Sequence, residues 1–322
     1  MRNRYVTMRL RMWGIGYLLS TVLLAAPFSA AEATSSITGL ERVFSPQPSG
    51  DSQSPKSALA QCPSDKQVIG GGGWVHAVTR PQENLGLPES SSELAEAPNV
   101  AQAEGAGGER LVLTQLEPYQ DGYQVTAAEL APGTDVDWWV QAYAICADAG
   151  SLSGQQVVSS ATPLSSQSAQ QAIAVCPEGK RTIGSGARIN APEDKVVLQV
   201  ARSSGPGDIV RAQGSAAPDG INRDWNVVAF AICVDPPPGY EIVYGESDER
   251  ESEASKLAVA ECPGNKRLHG AGAAITTDAP GNASLQLIYP FDDLRRVQAF
   301  AVENTPTDQN WDFIVAQAIC AD

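Results

Sequence analysis

Cys62-Pro63-Ser64-Asp65-Lys66-Gln67-Val68-Ile69-Gly70-Gly71-Gly72 recurs as Cys176-Pro177-Glu178-Gly179-Lys180-Arg181-Thr182-Ile183-Gly184-Ser185-Gly186 and again as Cys262-Pro263-Gly264-Asn265-Lys266-Arg267-Leu268-His269-Gly270-Ala271-Gly272. Each opening is answered downstream by a Trp run that closes on Ala144-Ile145-Cys146, Ala231-Ile232-Cys233 or Ala318-Ile319-Cys320. Two cysteines per copy use up all 6 in the chain, so one repeat is the unit of both folding and cross-linking.

Working upstream, Val43, Val157 and Val243 each stand 19 residues before their cysteine, and Ala-x-Ala-x-Cys follows at Ala58–Cys62, Ala172–Cys176 and Ala258–Cys262. The copies therefore tile as about 41–148, 154–235 and 240–322. Within each, short β-favouring runs alternate with Gly, Pro, Asp and Asn, and helix signals are almost absent, which predicts an all-β domain. Strands are expected at the opening Val, the Ala-x-Ala-x-Cys run, the Gly-x-Gly segment and the closing Trp run. Two more fall at Leu111–Leu116 with Val196–Ala201 and Leu285–Tyr289, and at Tyr123–Glu129 with Val210–Gly214 and Arg296–Val302. The first copy separates its cysteines by 84 residues where the others use 57 and 58. The surplus, about 82–110, lacks any apolar period and reads as a disordered insert.

Residues 1–33 read as a secretory signal. Arg2, Arg4, Arg9 and Arg11 form the basic region, Trp13–Ala26 the apolar run, and Ala31-Glu32-Ala33 the cleavage site, with cutting expected near Ala33 or Ala31. No other stretch is apolar enough to span a membrane. Removing the signal takes away four of the 22 basic residues and one of the 37 acidic ones, leaving a net charge of −18. That field disfavours nucleic acid and anionic lipid as partners. It suits a secreted, periplasmic or cell-surface location.

Export favours disulfides. Treating the copies alike pairs Cys62 with Cys146, Cys176 with Cys233 and Cys262 with Cys320. Zinc ligation is disfavoured, because the nearest cysteines are 29 and 30 residues apart and the chain has only 2 histidines. Closing loops of this length restricts the unfolded chain by about 4 kcal/mol each.

The glycine pairs Gly70/Gly72, Gly184/Gly186 and Gly270/Gly272 invite a phosphate-loop reading, but the chain continues as a strand where that chemistry needs a helix N-terminus. They read instead as a slot for a bulky group, with Trp138, Trp225 and Trp311 as its expected occupants. The closing strand is apolar on both faces, hence central. In the third copy Trp311 stands nine residues before its cysteine rather than eight, which predicts a β-bulge between them. Lys66, Lys180 and Lys266 read as turn lysines with solvated charges, the alternative being an anion site. His76 and His269 fall outside any common frame, and Ile183-Gly184-Ser185-Gly186 has the wrong spacing for a nucleophile elbow. Asp292-Asp293 and the run Glu246–Glu253 read as solvated loops rather than acid–base or calcium sites. No cofactor is expected.

Together, Gly239-Tyr240-Glu241-Ile242-Val243, Cys176-Pro177-Glu178-Gly179-Lys180 with Gly184 and Gly186, and Trp225 with Ala231-Ile232-Cys233 resemble repeats of secreted bacterial proteins of unassigned function. The likeness covers nearly the whole mature chain and brings no catalytic motif. More loosely, three repeats with Cys-Pro strands resemble the vitelline membrane outer layer protein, which implies a β-prism of three sheets about a pseudo-threefold axis. The cysteine spacing here is longer, so three tandem β modules stay open beside it. The expected function is non-catalytic: presenting a repeated β surface to a glycan, an envelope component or a protein. The rival is a hydrolase with its site confined to one repeat near His76.

Overall fold

In a computed structural model, residues 36–46, 50–78, 108–191, 195–247, 253–277, 280–304 and 311–322 are described. The signal at 1–33 and most of the 82–110 insert lie outside them. Each repeat supplies six strands, as the sequence predicts. The first gives β1 (Glu41–Phe44), β2 (Lys56–Gln61), β3 (Lys66–Ala77), β4 (Leu111–Tyr119), β5 (Gly122–Glu129) and β6 (Trp138–Asp148). The second gives β7 (Gln156–Ala161), β8 (Ala169–Val175), β9 (Arg181–Asn190), β10 (Val196–Ser204), β11 (Ile209–Ala216) and β12 (Asn226–Val234). The third gives β13 (Glu241–Glu246), β14 (Ser255–Glu261), β15 (Arg267–Thr276), β16 (Ala283–Pro290), β17 (Arg296–Glu303) and β18 (Phe313–Ala321).

No sheet belongs to one repeat. Sheet I runs β1-β6-β3-β16-β17-β14, sheet II β2-β5-β4-β9-β12-β7 and sheet III β13-β18-β15-β10-β11-β8. Every repeat thus gives three strands to one sheet and three to the next, and the cycle closes on itself as a three-sheet prism. The seams are short: Leu287 and Ile288 face Trp74 and Gly73, Gln115 and Leu116 face Arg188 and Ala187, and Val200 and Ala201 face Ala274 and Ala273. A row of independent modules has no such seams. The inner faces of all three sheets share one apolar core that includes Trp138, Trp225 and Trp311, each with no exposed surface.

The cysteines pair within repeats as Cys62–Cys146, Cys176–Cys233 and Cys262–Cys320. Because one cysteine follows β2, β8 or β14 and its partner lies in β6, β12 or β18, every bridge ties two different sheets together.

The glycine pairs do make room, but not for tryptophan. A Cβ on Gly70 would lie 2.7 Å from the His269 carbonyl oxygen, one on Gly184 2.2 Å from that of Ile69, and one on Gly270 2.1 Å from that of Ile183. The first glycine of each pair therefore meets the backbone of another repeat, and the three contacts run in a ring around the axis. The second glycine admits the seam strand: Cβ atoms on Gly72, Gly186 and Gly272 would meet the carbonyls of Ile288, Leu116 and Ala201 at 2.0, 2.5 and 2.9 Å. The tryptophans sit elsewhere along the ladder, since Gly72 faces Tyr143 while Trp138 faces Ala77. The expected occupant was wrong because strand periodicity describes one repeat, whereas the slot is filled by another.

The bulge predicted inside the third closing strand is also displaced. Register shifts occur in all three repeats, at Ile69, Ile183 and His269, opposite the closing strands rather than within them. The extra third-repeat residue is absorbed before β18, whose pairing starts at Phe313.

Candidate functional site: the outer sheet faces

Most recurring residues are fully engaged in the frame. Trp138 Nε1 donates to Glu129 Oε1 at 2.7 Å, Trp225 Nε1 to the Gln167 carbonyl at 2.8 Å and Trp311 Nε1 to the Glu253 carbonyl at 2.7 Å. Their burial removes them from any sugar-stacking role. A second aligned set, six residues before each first cysteine, escaped the sequence reading: Lys56, Gln170 and Lys256 donate to the carbonyls of Trp138, Trp225 and Trp311 at 2.5, 2.7 and 3.0 Å. The two ammonium groups also lie over their indole rings, 4.1 and 4.9 Å from the centroids.

The turn lysines are ion-paired. Lys66 reaches Asp148 at 2.8 Å, Lys180 reaches Asp235 at 2.7 Å and Lys266 reaches Glu241 at 2.6 Å. The hydrogen bonds from lysine hold Asp148 and Asp235 below the usual carboxylate range. An anion site would need these cations to be available. Asp292 and Asp293 likewise pair with Arg42 and Arg296. Glu246 and Glu253 bracket a run whose 248–252 lie outside the described residues.

His269 is the bulge residue of the third repeat at the axis, where Ile69 and Ile183 stand in the others, and burial pushes its pKa down to about 4. His76 is half-buried on sheet I, with ring centroids 4.6 Å from Trp74 and 5.0 Å from Trp139, and burial lowers its pKa too. Among the described residues no carboxylate is hydrogen-bonded to it, and no group of three or more potential metal-ligating side chains occurs.

What differs between repeats is the outward side of each sheet. Counting along the ladders from the seams makes Trp74, Arg188 and Ala274 equivalent, and likewise Tyr289, Glu117 and Arg202. On sheet I these positions build an aromatic layer that is itself buried: Tyr143, Leu287, Tyr289, Phe291, Phe300 and Val302 are each at most 8% exposed, with half-buried Trp74 packed against them. Arg42 lies 5.2 and 5.0 Å from the Tyr143 and Tyr289 ring centroids, and donates to the Pro290 carbonyl at 2.8 Å. On sheet III, Arg202 lies over Tyr244, 5.5 Å from its centroid.

Sheet II carries a polar rib instead. Ser57 and Thr126 share a hydrogen bond of 2.8 Å, and Thr126 Oγ1 donates to Gln115 Oε1 at 3.0 Å. Gln115 Nε2 then donates to Glu117 Oε1 at 2.9 Å. Arg188 Nη1 reaches both Glu117 oxygens at 2.9 and 2.8 Å, and its Nε donates to Asn190 Oδ1 at 3.1 Å. Asn190 Nδ2 donates to Asn226 Oδ1 at 2.9 Å, and Asn226 Nδ2 to the Thr162 carbonyl at 3.1 Å. The chain of bonds crosses β2, β5, β4, β9 and β12, passing from the first repeat to the second. Glu117 is buried, and that burial raises its pKa against the opposing pull of Arg188. Beside the rib opens a cleft of about 230 Å³, lined among others by Gln115, Thr126, Arg188, Ile189, Asn190 and Val196.

No protein-family model matches this sequence, and no curated protein matches it.

Proposed function

We propose that this chain is an exported, non-catalytic binding protein that presents its outer sheet faces to an extracellular ligand, a glycan before an envelope component or another protein. The observation that carries the reading is the division between frame and faces. Bridges, axis glycines and buried tryptophans recur three times, while equivalent outward positions hold aromatic, acid–base and small or basic residues. Function resides in sites carried by a scaffold rather than in the scaffold itself, so the positions that differ between copies are where it is sought. Three disulfides suit an oxidising compartment, and among the described residues no helix is long and apolar enough to cross a membrane. Kinship with the vitelline membrane outer layer protein belongs to this proposal, on the repeat number and the Cys-Pro strands. A hydrolase centred on His76 is less well supported, because its described neighbours are indole rings rather than carboxylates.

The test is depletion of the purified protein from solution by insoluble polysaccharides and isolated cell envelopes, with reducing ends assayed in parallel. Retention without release of reducing ends is expected. Release that disappears in His76→Ala, or no retention on any of these materials, overturns the proposal.

A further inference from the structure

The geometry points to the cleft on sheet II as a subsite for one neutral pyranose residue. This inference rests on the glycan-binding reading and names the place and ligand class within it.

Size comes first. At about 230 Å³ the cleft is smaller than the roughly 300–1,000 Å³ of drug-sized pockets, which limits its ligand to about a single ring. Its lining is mixed: half-buried Ile189 and Ala191 supply a small apolar area, with Val196 buried behind it, while Gln115, Thr126, Arg188 and Asn190 offer polar atoms to the hydroxyls of a sugar.

Those polar atoms are held in place before any ligand arrives. Each is fixed by a neighbour in the rib, so little side-chain entropy is lost on binding. They nevertheless keep spare capacity. Arg188 uses Nη1 and Nε within the rib, and its Nη2 has no partner among the described residues. The primary amides of Gln115 and Asn190 each donate one N–H inside the rib and retain a second, and the Thr126 oxygen remains an acceptor. Adjacent donors and acceptors match a vicinal diol, each of whose hydroxyls can both donate and accept.

Charge selects the neutral sugar over an acidic one. Arg188 is already bound by both oxygens of buried Glu117, so the guanidinium carries no uncompensated charge for a ligand carboxylate. The chain as a whole has a net charge of −15, which further disfavours an anion. Among the described residues Glu117 is not one of the cleft-lining side chains, and none of those that line it is a carboxylate. It serves as a positioning residue for Arg188.

The experiment is amide chemical-shift mapping of the purified protein against methyl glycosides of glucose, galactose, mannose and N-acetylglucosamine, with glucuronate as the charged comparator. Saturable shifts confined to residues 114–115, 126 and 188–191 are expected with at least one neutral glycoside. Asn190→Ala and Thr126→Val each delete one hydrogen-bonding group and are expected to weaken that binding about tenfold. Their melting temperatures should stay close to wild type, which separates a lost contact from a lost fold. Cleft amides silent to every neutral glycoside, affinity unchanged in both variants, or stronger binding of glucuronate at these amides each overturns the assignment. Retention on polysaccharide with a silent cleft removes this subsite and leaves the proposed function standing. Failure of retention removes the function, while the shifts judge the cleft separately.

Discussion

At the axis Gly70, Gly184 and Gly270 are one residue three times over, whereas on the outer faces the position shared by Tyr289, Glu117 and Arg202 is an aromatic, an acid and a base. The difference follows from what each place touches. An axis glycine faces a backbone carbonyl of another repeat, and backbone cannot rotate away from an added methyl group. An outer side chain has room to find a new partner: Tyr289 finds Tyr143 and Arg42, and Glu117 finds Arg188. Repetition is therefore enforced from the centre, and chemical identity is assigned at the periphery.

The strongest blow to this contrast is struck at the axis. Gly184→Ala places its Cβ 2.2 Å from the Ile69 carbonyl oxygen, and a loss of about 4 kcal/mol or more is expected in urea unfolding. A loss below about 1 kcal/mol means the axis does not enforce repetition.

Next in size is the rib. Arg188→Met leaves the Glu117 carboxylate buried without its cation, at a cost of about 3 kcal/mol, and adding Glu117→Gln should restore most of it. The pH dependence has a definite sign here. Because the folded-state pKa of Glu117 is raised, its favourable contribution is complete below the unfolded value near 4.5 and declines as pH rises through the raised one. Removing Arg188 should steepen that decline, as urea midpoints measured from pH 4 to 8 will register.

A smaller effect sharpens the exception at the axis. His269 stands where Ile69 and Ile183 stand, with a folded-state pKa lowered to about 4 from 6.5. Its contribution is complete above the unfolded value and is lost as pH falls from about 6.5 to about 4, by at most about 3 kcal/mol. His269→Ile, which copies the other repeats, should flatten acid sensitivity across that window in thermal melts. An unchanged profile would place the sensitivity in other groups.

Much of the frame was legible from residues alone. Two cysteines per repeat dictated the pairing, and turn residues between β-favouring runs located all six strands of each copy. The sheet membership of those strands was not legible, because each seam rests on two facing residue pairs that leave no periodic trace. The same blindness to other repeats hid the occupant of the glycine slot. The polar rib was missed for a related reason: Ser57, Thr126 and Gln115 lie in one repeat and Arg188 and Asn190 in the next, with no motif spacing between them. A signal did exist. Aligning the copies column by column sets Trp74, Arg188 and Ala274 together and marks that column as variable within a constant frame.

If frame and faces are separable, one face can be exchanged for another while the frame stays intact. Arg188→Trp, Glu117→Tyr, Gln115→Leu and Thr126→Phe together give sheet II the residues that sheet I carries at Trp74, Tyr289, Leu287 and Phe300. Circular dichroism, disulfide mapping and polysaccharide retention would be measured on this one variant. Native β content, three intact bridges and loss of glycoside binding at the cleft are expected. An unfolded variant, or a folded one that still binds at residues 188–191, would contradict that separability.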